Sequence, residues 1–155
     1  MSIEKVRAYL KNLGAEDRII IFDASTATVA LAAAALGCEE AHIAKTMSFL
    51  VDGSPVLVVL AGDVRVDNHK FKQAFHKKGR MIPFAEVEGY IGHAPGGVCP
   101  FAIKEGVPVY LDISLKRFAT VYPAAGDDHS AVRVTPDELF SLAKAAGWVD
   151  VAKYS

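Results

Sequence analysis

The chain is poor in cysteine. Cys38 and Cys99 are its only two, far apart and in no C-x-x-C, so neither a disulfide framework nor a zinc cluster is expected. Net charge is nearly absent: 17 Lys and Arg stand against 18 Asp and Glu, leaving −1. That excludes a uniformly basic nucleic-acid coat, though not a local patch. No stretch approaches 18 uncharged apolar residues, so no membrane span is expected. The opening residues, MSIEKVRAYLKN, are charged throughout and do not read as a signal peptide. A reducing, cytoplasmic setting is the expectation. No G-x-G-x-x-G follows a strand, and no G-x-S-x-G surrounds Ser25. His42, His69, His76, His93 and His129 show neither H-x-x-x-H nor H-E-x-x-H spacing. A Rossmann domain, a serine hydrolase and a histidine metal site are therefore not indicated. Low-complexity tracts and internal repeats are absent too.

What is present is a core. Apolar residues make up 52% of the 155, and charged residues 23%. A chain of this length makes one domain and buries roughly 70% of its unfolded surface without a staple. Ile3, Val6, Leu10 and Leu13 follow helical spacing up to Gly14. Arg18 to Phe22 reads as a short buried strand. Ser25 or Thr26 can cap an Ala-rich helix ending near Leu36-Gly37. Two apolar runs, Ile43 to Val51 and Pro55 to Leu60, flank Asp52-Gly53 and predict a β-hairpin. Asp67 to His76 reads as a helix with Phe71 and Phe75 on one face, and Pro83 to Glu88 as a second, short one. Val107 to Leu111, Ala119 to Tyr122 and Ala131 to Val134 read as strands. Thr135-Pro136-Asp137-Glu138 opens a last helix with a capping box. Hairpins mixed with crossovers predict an α/β fold with a mixed sheet.

Three features carry chemistry. Along 43–51 the side chains alternate, placing Lys45 on one face with Ile43, Met47, Phe49 and Val51. An ammonium there either snorkels to water at the strand's end or opens into a cleft and meets an anion. The loop 89–100 holds Gly89, Gly92, Gly96 and Gly97 with Pro95 and Pro100. It is either a structural turn or a nest of N–H groups for an anion or developing oxyanion. Arg65, Lys70, Lys72, Lys77, Lys78 and Arg80 lie in a segment whose only acid is Asp67, a local charge of +5 against −6 elsewhere. Such a run is a solvated helix face or a dock for a phosphate backbone. Cys99 is a candidate nucleophile with His93 or His129 as base, or a small loop-packing residue.

Taken in order, these segments resemble the YbaK/prolyl-tRNA synthetase editing-domain family. The matching pieces are Ser25-Thr26-Ala27-Thr28-Val29-Ala30 ahead of Leu36-Gly37, Ile43-Ala44-Lys45-Thr46, and Ala61 to Asp67. They continue with the G-x-x-x-P motif inside Gly96-Gly97-Val98-Cys99-Pro100-Phe101, Ala125 to His129, and the Thr135-Pro136 helix. Asp23-Ala24 departs from the His-Pro that relatives often have. The match spans nearly the whole chain, so one editing domain over residues 1–155 is expected.

The resemblance implies a mixed, barrel-like sheet flanked by helices and a freestanding aminoacyl-tRNA deacylase. Its partner would be the acceptor end of mischarged tRNA, with docking to an aminoacyl-tRNA synthetase left open. Neither metal nor cofactor is called for. Lys45 would serve as a cation for the terminal adenosine's phosphate or ribose. Backbone N–H groups of Gly96, Gly97, Val98 and Cys99 would hold the ester carbonyl, and the substrate's own ribose hydroxyl would help activate water. Phe22, Thr26, Thr46, Met47, Val98, Pro100 and His129 would contact substrate. Arg65, Lys70, Lys72, Lys77, Lys78 and Arg80 would meet the acceptor stem. Relatives specialised for alanine often carry Asn after the lysine. Here it is Thr46, and Ala, Ser, Thr and Cys all stay open as the edited amino acid. The alternative is a non-catalytic module that holds tRNA ends or another anionic ligand on the same scaffold.

Overall fold

The structure, a computed structural model, describes residues 2–154. In chain order its elements are α1 (Ser2–Asn12), β1 (Ile19–Ile21), α2 (Val29–Leu36), β2 (Ile43–Val51), β3 (Ser54–Ala61), β4 (Val64–Val66), α3 (Asn68–Phe75), β5 (Gly79–Met81), α4 (Val87–Ile91), β6 (Val109–Asp112), β7 (Tyr122–Pro123), β8 (Ser130–Val132), α5 (Pro136–Leu142), β9 (Gly147–Val149) and β10 (Ala152–Tyr154). Short 3-10 turns join several of them. The fold is mixed α/β, as the hairpins and crossovers predict.

The predicted hairpin organises the sheet. Asp52 and Gly53 both take positive φ, 53° and 81°, the type I′ pattern that matches strand twist. It fixes the register of β2 on β3 from Ala44↔Ala61 to Val51↔Ser54. Leu57 to Ala61 are fully buried, as expected of a central strand covered on both faces. The sheet runs β5-β2-β3-β6-β9, with β6 parallel to both β3 and β9. The far edge of β2 is shared: β7 pairs in parallel with Ile43 and Ala44, and β5 pairs antiparallel with Phe49 to Val51. Between them Ser48 accepts a bond from Ile82 N. Residues 45–47 therefore form a notch in that edge. Two-stranded ribbons, β1-β8 and β10-β4, complete the strand pairing.

Helices cover the sheet through specific contacts. In α3, Phe71 meets Phe49 at 4.9 Å and Phe75 at 4.5 Å, and Phe75 meets Tyr110 edge-on at 5.0 Å. Asp67 caps α3 by accepting from Lys70 N. The capping box of α5 forms as read, Thr135 and Glu138 bonding each other's backbone. Among the described residues no helix is long and apolar enough to cross a membrane, and no group of three His, Cys, Asp or Glu could hold a metal.

Several sequence expectations shift. Residues Ile19–Ile21 do form a strand, but it pairs only with β8 and leaves Ile21 exposed, so it is not buried. Helix α2 is capped by Thr28, which accepts from Leu31 N, not by Ser25 or Thr26. Those two are engaged elsewhere: Ser25 Oγ accepts from Ala27 N, and Thr26 N donates to Asp128 O. Helix 83–88 is replaced by a 3-10 turn at Phe84–Glu86 followed by α4. The strand at 119–122 shortens to Tyr122–Pro123, preceded by a Val121–Val134 bridge.

Candidate active site

The notch in β2 opens into a cavity of about 140 Å³. Its floor is Ile43 to Thr46. One wall is the segment Thr26 to Val29 leading into α2, with Ala32. Opposite stand Pro95, Gly96 and Val98, and the remaining side is closed by Tyr122, Ala124, Ser130 and Ala131. Lys45 and the glycine-rich bend thus share one cavity.

Lys45 is half-buried. Its Nζ donates to Val64 O at the start of β4, a short contact. Burial pushes its pKa down, the Asp63 carboxylate works against that shift, and Arg65 adds to it. Asp63 is itself clamped by Arg117, two parallel bonds of 2.6 and 3.0 Å that hold its carboxyl below the ordinary range. Thr46 Oγ1, next along the strand, is buried without a hydrogen-bond partner. An orphaned hydroxyl of this kind costs about 1–3 kcal/mol unless a ligand or water meets it.

The bend is fixed from behind. Pro95–Gly97 form a 3-10 turn, with Gly97 N donating to Ala94 O. Gly97 is buried against Gly126 and Asp127, whereas Gly96 lines the cavity and is loosely packed, a Cβ there meeting only Asp128 Cβ at 3.8 Å. Among the loop's four glycines only Gly92 has a positive φ, 98°. What Gly97 supplies is close approach, not an unusual dihedral. At the loop's feet the fully buried His93 donates through Nε2 to Phe101 O, 2.7 Å. The carbonyl can only accept, so Nδ1 is the bare nitrogen, and it is buried without a partner. Burial lowers the His93 pKa and keeps the ring neutral. Cys99 lies in the core, 3.6 Å from His93 Nε2, its thiol pushed up to about 12 by complete burial.

The structure sorts the sequence-derived candidates. Lys45, Gly96, Val98, Thr26 and Thr46 line the cavity. Met47 lines a neighbouring depression that shares Thr46, Pro95 and Val98 with it. Gly97, Cys99 and Pro100 are buried behind the bend, and the Cys99 side chain does not reach the cavity. Phe22 and His129 stand outside it: Phe22 N donates to His129 O, and His129 Nδ1 pairs with Asp128 at 2.6 Å. Of the basic run, Lys70 is tied to Asp150 and Ala152 O, whereas Arg65, Lys72, Lys77, Lys78 and Arg80 are exposed. Sequence reasoning missed Thr28, Pro95, Tyr122 and Ser130. Pro95 had a signal in its place inside the glycine-rich loop, and Thr28 in the segment Ser25 to Ala30; Tyr122 and Ser130 arrive through pairings distant in sequence.

The profile of the aminoacyl-tRNA editing domain matches residues 23–142. The uncharacterized protein YwhH of Bacillus subtilis (strain 168) is 44% identical over 154 residues, covering 99% of this chain and 98% of that protein. A proline–tRNA ligase of Limosilactobacillus fermentum is 31% identical over 107 residues, 65% of this chain but 19% of the ligase. A solved structure described as a candidate trans-editing enzyme for prolyl tRNA synthetase superposes with a TM-score of 0.89 at 30% identity, covering 98% of this chain and 97% of that one. The chain belongs to the aminoacyl-tRNA editing domain family, the YbaK/prolyl-tRNA synthetase-associated group.

Proposed function

We propose that the protein hydrolyses the ester joining a small, wrongly attached amino acid (Ala, Ser, Thr or Cys) to the 3′-terminal adenosine of a tRNA. The observation that carries this reading is one small cavity lined by both Lys45 and the bend at Gly96 and Val98, with no carboxylate, imidazole or thiol on its described walls. An aminoacyl ester is activated already and needs a positioned water more than a nucleophile. The ribose hydroxyl beside the ester is then the group at hand to take part in activating water. Lys45 is cationic at neutral pH and attracts the phosphate or ribose of the terminal nucleotide. Backbone N–H groups of the bend other than that of Gly97, which bonds Ala94 O, receive the carbonyl oxygen as it gains charge; losing one such donor typically costs about 3 kcal/mol. A volume near 140 Å³ suits a small side chain. The exposed cations Arg65, Lys72, Lys77, Lys78 and Arg80 act on the acceptor stem through its phosphates, adding affinity and little sequence preference.

The test is a panel of Ala-, Ser-, Thr- and Cys-charged tRNAs incubated with the protein and with Lys45→Ala. Loss of at least one amino acid, abolished in the variant, supports the proposal. All four left intact would remove it, and salt-sensitive binding without turnover would favour a non-catalytic module.

A further inference from the structure

We propose that the depression beside the cavity receives the terminal adenine of the acylated RNA, with Phe84 as the surface on which the base stacks. This rests on the deacylase reading and adds to it a site for the base.

Phe84 is 79% exposed and Met81 57%, and both line the same depression. Phe84 is the most exposed of the large apolar side chains among the described residues. Apolar side chains gathered at the mouth of a concave surface mark an interaction site more often than isolated ones do. The depression holds about 280 Å³ and shares Thr46, Pro95 and Val98 with the cavity, so the two lie side by side. A nucleoside whose ester lies in the cavity carries its base on the same ribose, and the base must leave through adjoining space. Here that space is walled by an aromatic ring, a thioether and aliphatic groups, which suit the flat face of a purine. The shared wall also carries the orphaned Thr46 hydroxyl.

The shared ribose selects the occupant, and the surrounding charge is mixed. Exposed Lys77, Lys78 and Arg80 precede Met81 in the chain, while exposed Glu86 and Glu88 follow Phe84. An apolar platform with cations near it in the chain fits a stacked base on a phosphate chain. A second copy of this chain fits less well, because a twofold interface would bring the patch, and its cations, against itself. The platform is held firmly. Ile82 N donates to Ser48 O, and the turn Phe84–Glu86 closes through Glu86 N to Pro83 O before α4 begins.

The experiment uses an uncharged tRNA with 2-aminopurine as its 3′-terminal base, together with the mischarged panel. Wild-type protein quenches the fluorophore, Phe84→Ala does not, and Phe84→Trp does. On the best mischarged tRNA, Phe84→Ala lowers kcat/KM roughly 5- to 150-fold, the value of one base–aromatic stack, while Phe84→Trp retains activity. The same ester on an abasic terminal nucleotide is cleaved equally by wild type and Phe84→Ala. An unchanged unfolding midpoint in Phe84→Ala shows that the fold is intact. Equal quenching and equal kcat/KM in wild type and Phe84→Ala would overturn the proposal. So would a variant whose only change is its oligomeric state in sedimentation, which would assign the patch to self-association. If no mischarged tRNA is hydrolysed, the deacylase reading falls, while the quenching measurement still decides where the base sits.

Discussion

Gly97 is pressed against the backbone of Gly126: a Cβ added to it would meet Gly126 O at 2.5 Å and Asp127 Cα at 2.7 Å. Neither atom is the flexible end of a side chain, so the bend itself would have to move. Gly97→Ala is expected to destabilise the protein by about 1–3 kcal/mol and to lose most deacylation. Gly96 is the control, since its Cβ would meet only Asp128 Cβ at 3.8 Å. Gly96→Ala is expected to keep its unfolding midpoint, so any fall in its activity reports on the cavity and not on the fold. Urea unfolding and turnover measured on both variants check the pair.

Thr46→Val removes a buried hydroxyl that has no partner while keeping the side chain's shape. Stability should rise by about 1 kcal/mol. Deacylation should fall if that hydroxyl meets the substrate. A rise in stability with unchanged turnover would mean that Thr46 is a passive wall.

Lys45→Met replaces a half-buried ammonium by an apolar chain of similar length. The lowered pKa means that folding disfavours the charged form, so below that folded value the cost is fully present. It is relieved as pH rises toward the unfolded value of 10.5. At pH 7 the variant should be at least as stable as wild type, yet its deacylation should drop about 100-fold or more. Thermal unfolding and single-turnover hydrolysis test the two halves separately. A variant that is inactive because it is unfolded would refute the account.

Cys99 should not behave as a nucleophile. Its thiol is fully buried and titrates at about 12 against 9.0 when free. Cys99→Ala should keep its activity within a few-fold and lose about 1 kcal/mol of stability to the small void. A folded pKa above the unfolded one stabilises fully below pH 9, and that contribution is lost as pH climbs through 12. The stability advantage of wild type over Cys99→Ala should therefore fall between pH 8 and pH 10.5 and pass through zero. Urea midpoints at the two values decide it. Iodoacetamide at pH 8 should label the partly exposed Cys38 and spare Cys99.

Local chemistry made much of the fold legible. Asp52-Gly53 encodes its own turn, Thr135 and Glu138 encode their own cap, and the alternation around Lys45 exposes a charge where an apolar residue would pack. The same local reasoning failed where long-range pairing decides. Thr28 caps α2 while the carbonyls of Asp128 and Ser130 engage its competitor Thr26. Tyr122 and Ser130 reach the cavity through β7 and β8, two- and three-residue strands with no periodicity to read. Strands β4, β5, β9 and β10 are three residues each and were invisible for the same reason. Of the two roles the sequence leaves for Cys99, nucleophile or loop-packing residue, the fold supports the second, because the side chain is fully buried.

The interrupted edge of β2 has a consequence for association. A continuous free edge invites other strands to add to it, and proteins blunt such edges with short strands and charge. Here β7 and β5 occupy both ends and leave open only residues 45–47, the first of them cationic. Three residues are too few to template a foreign strand. The molecule can thus present bare main chain to a small guest without becoming a nucleus for aggregation.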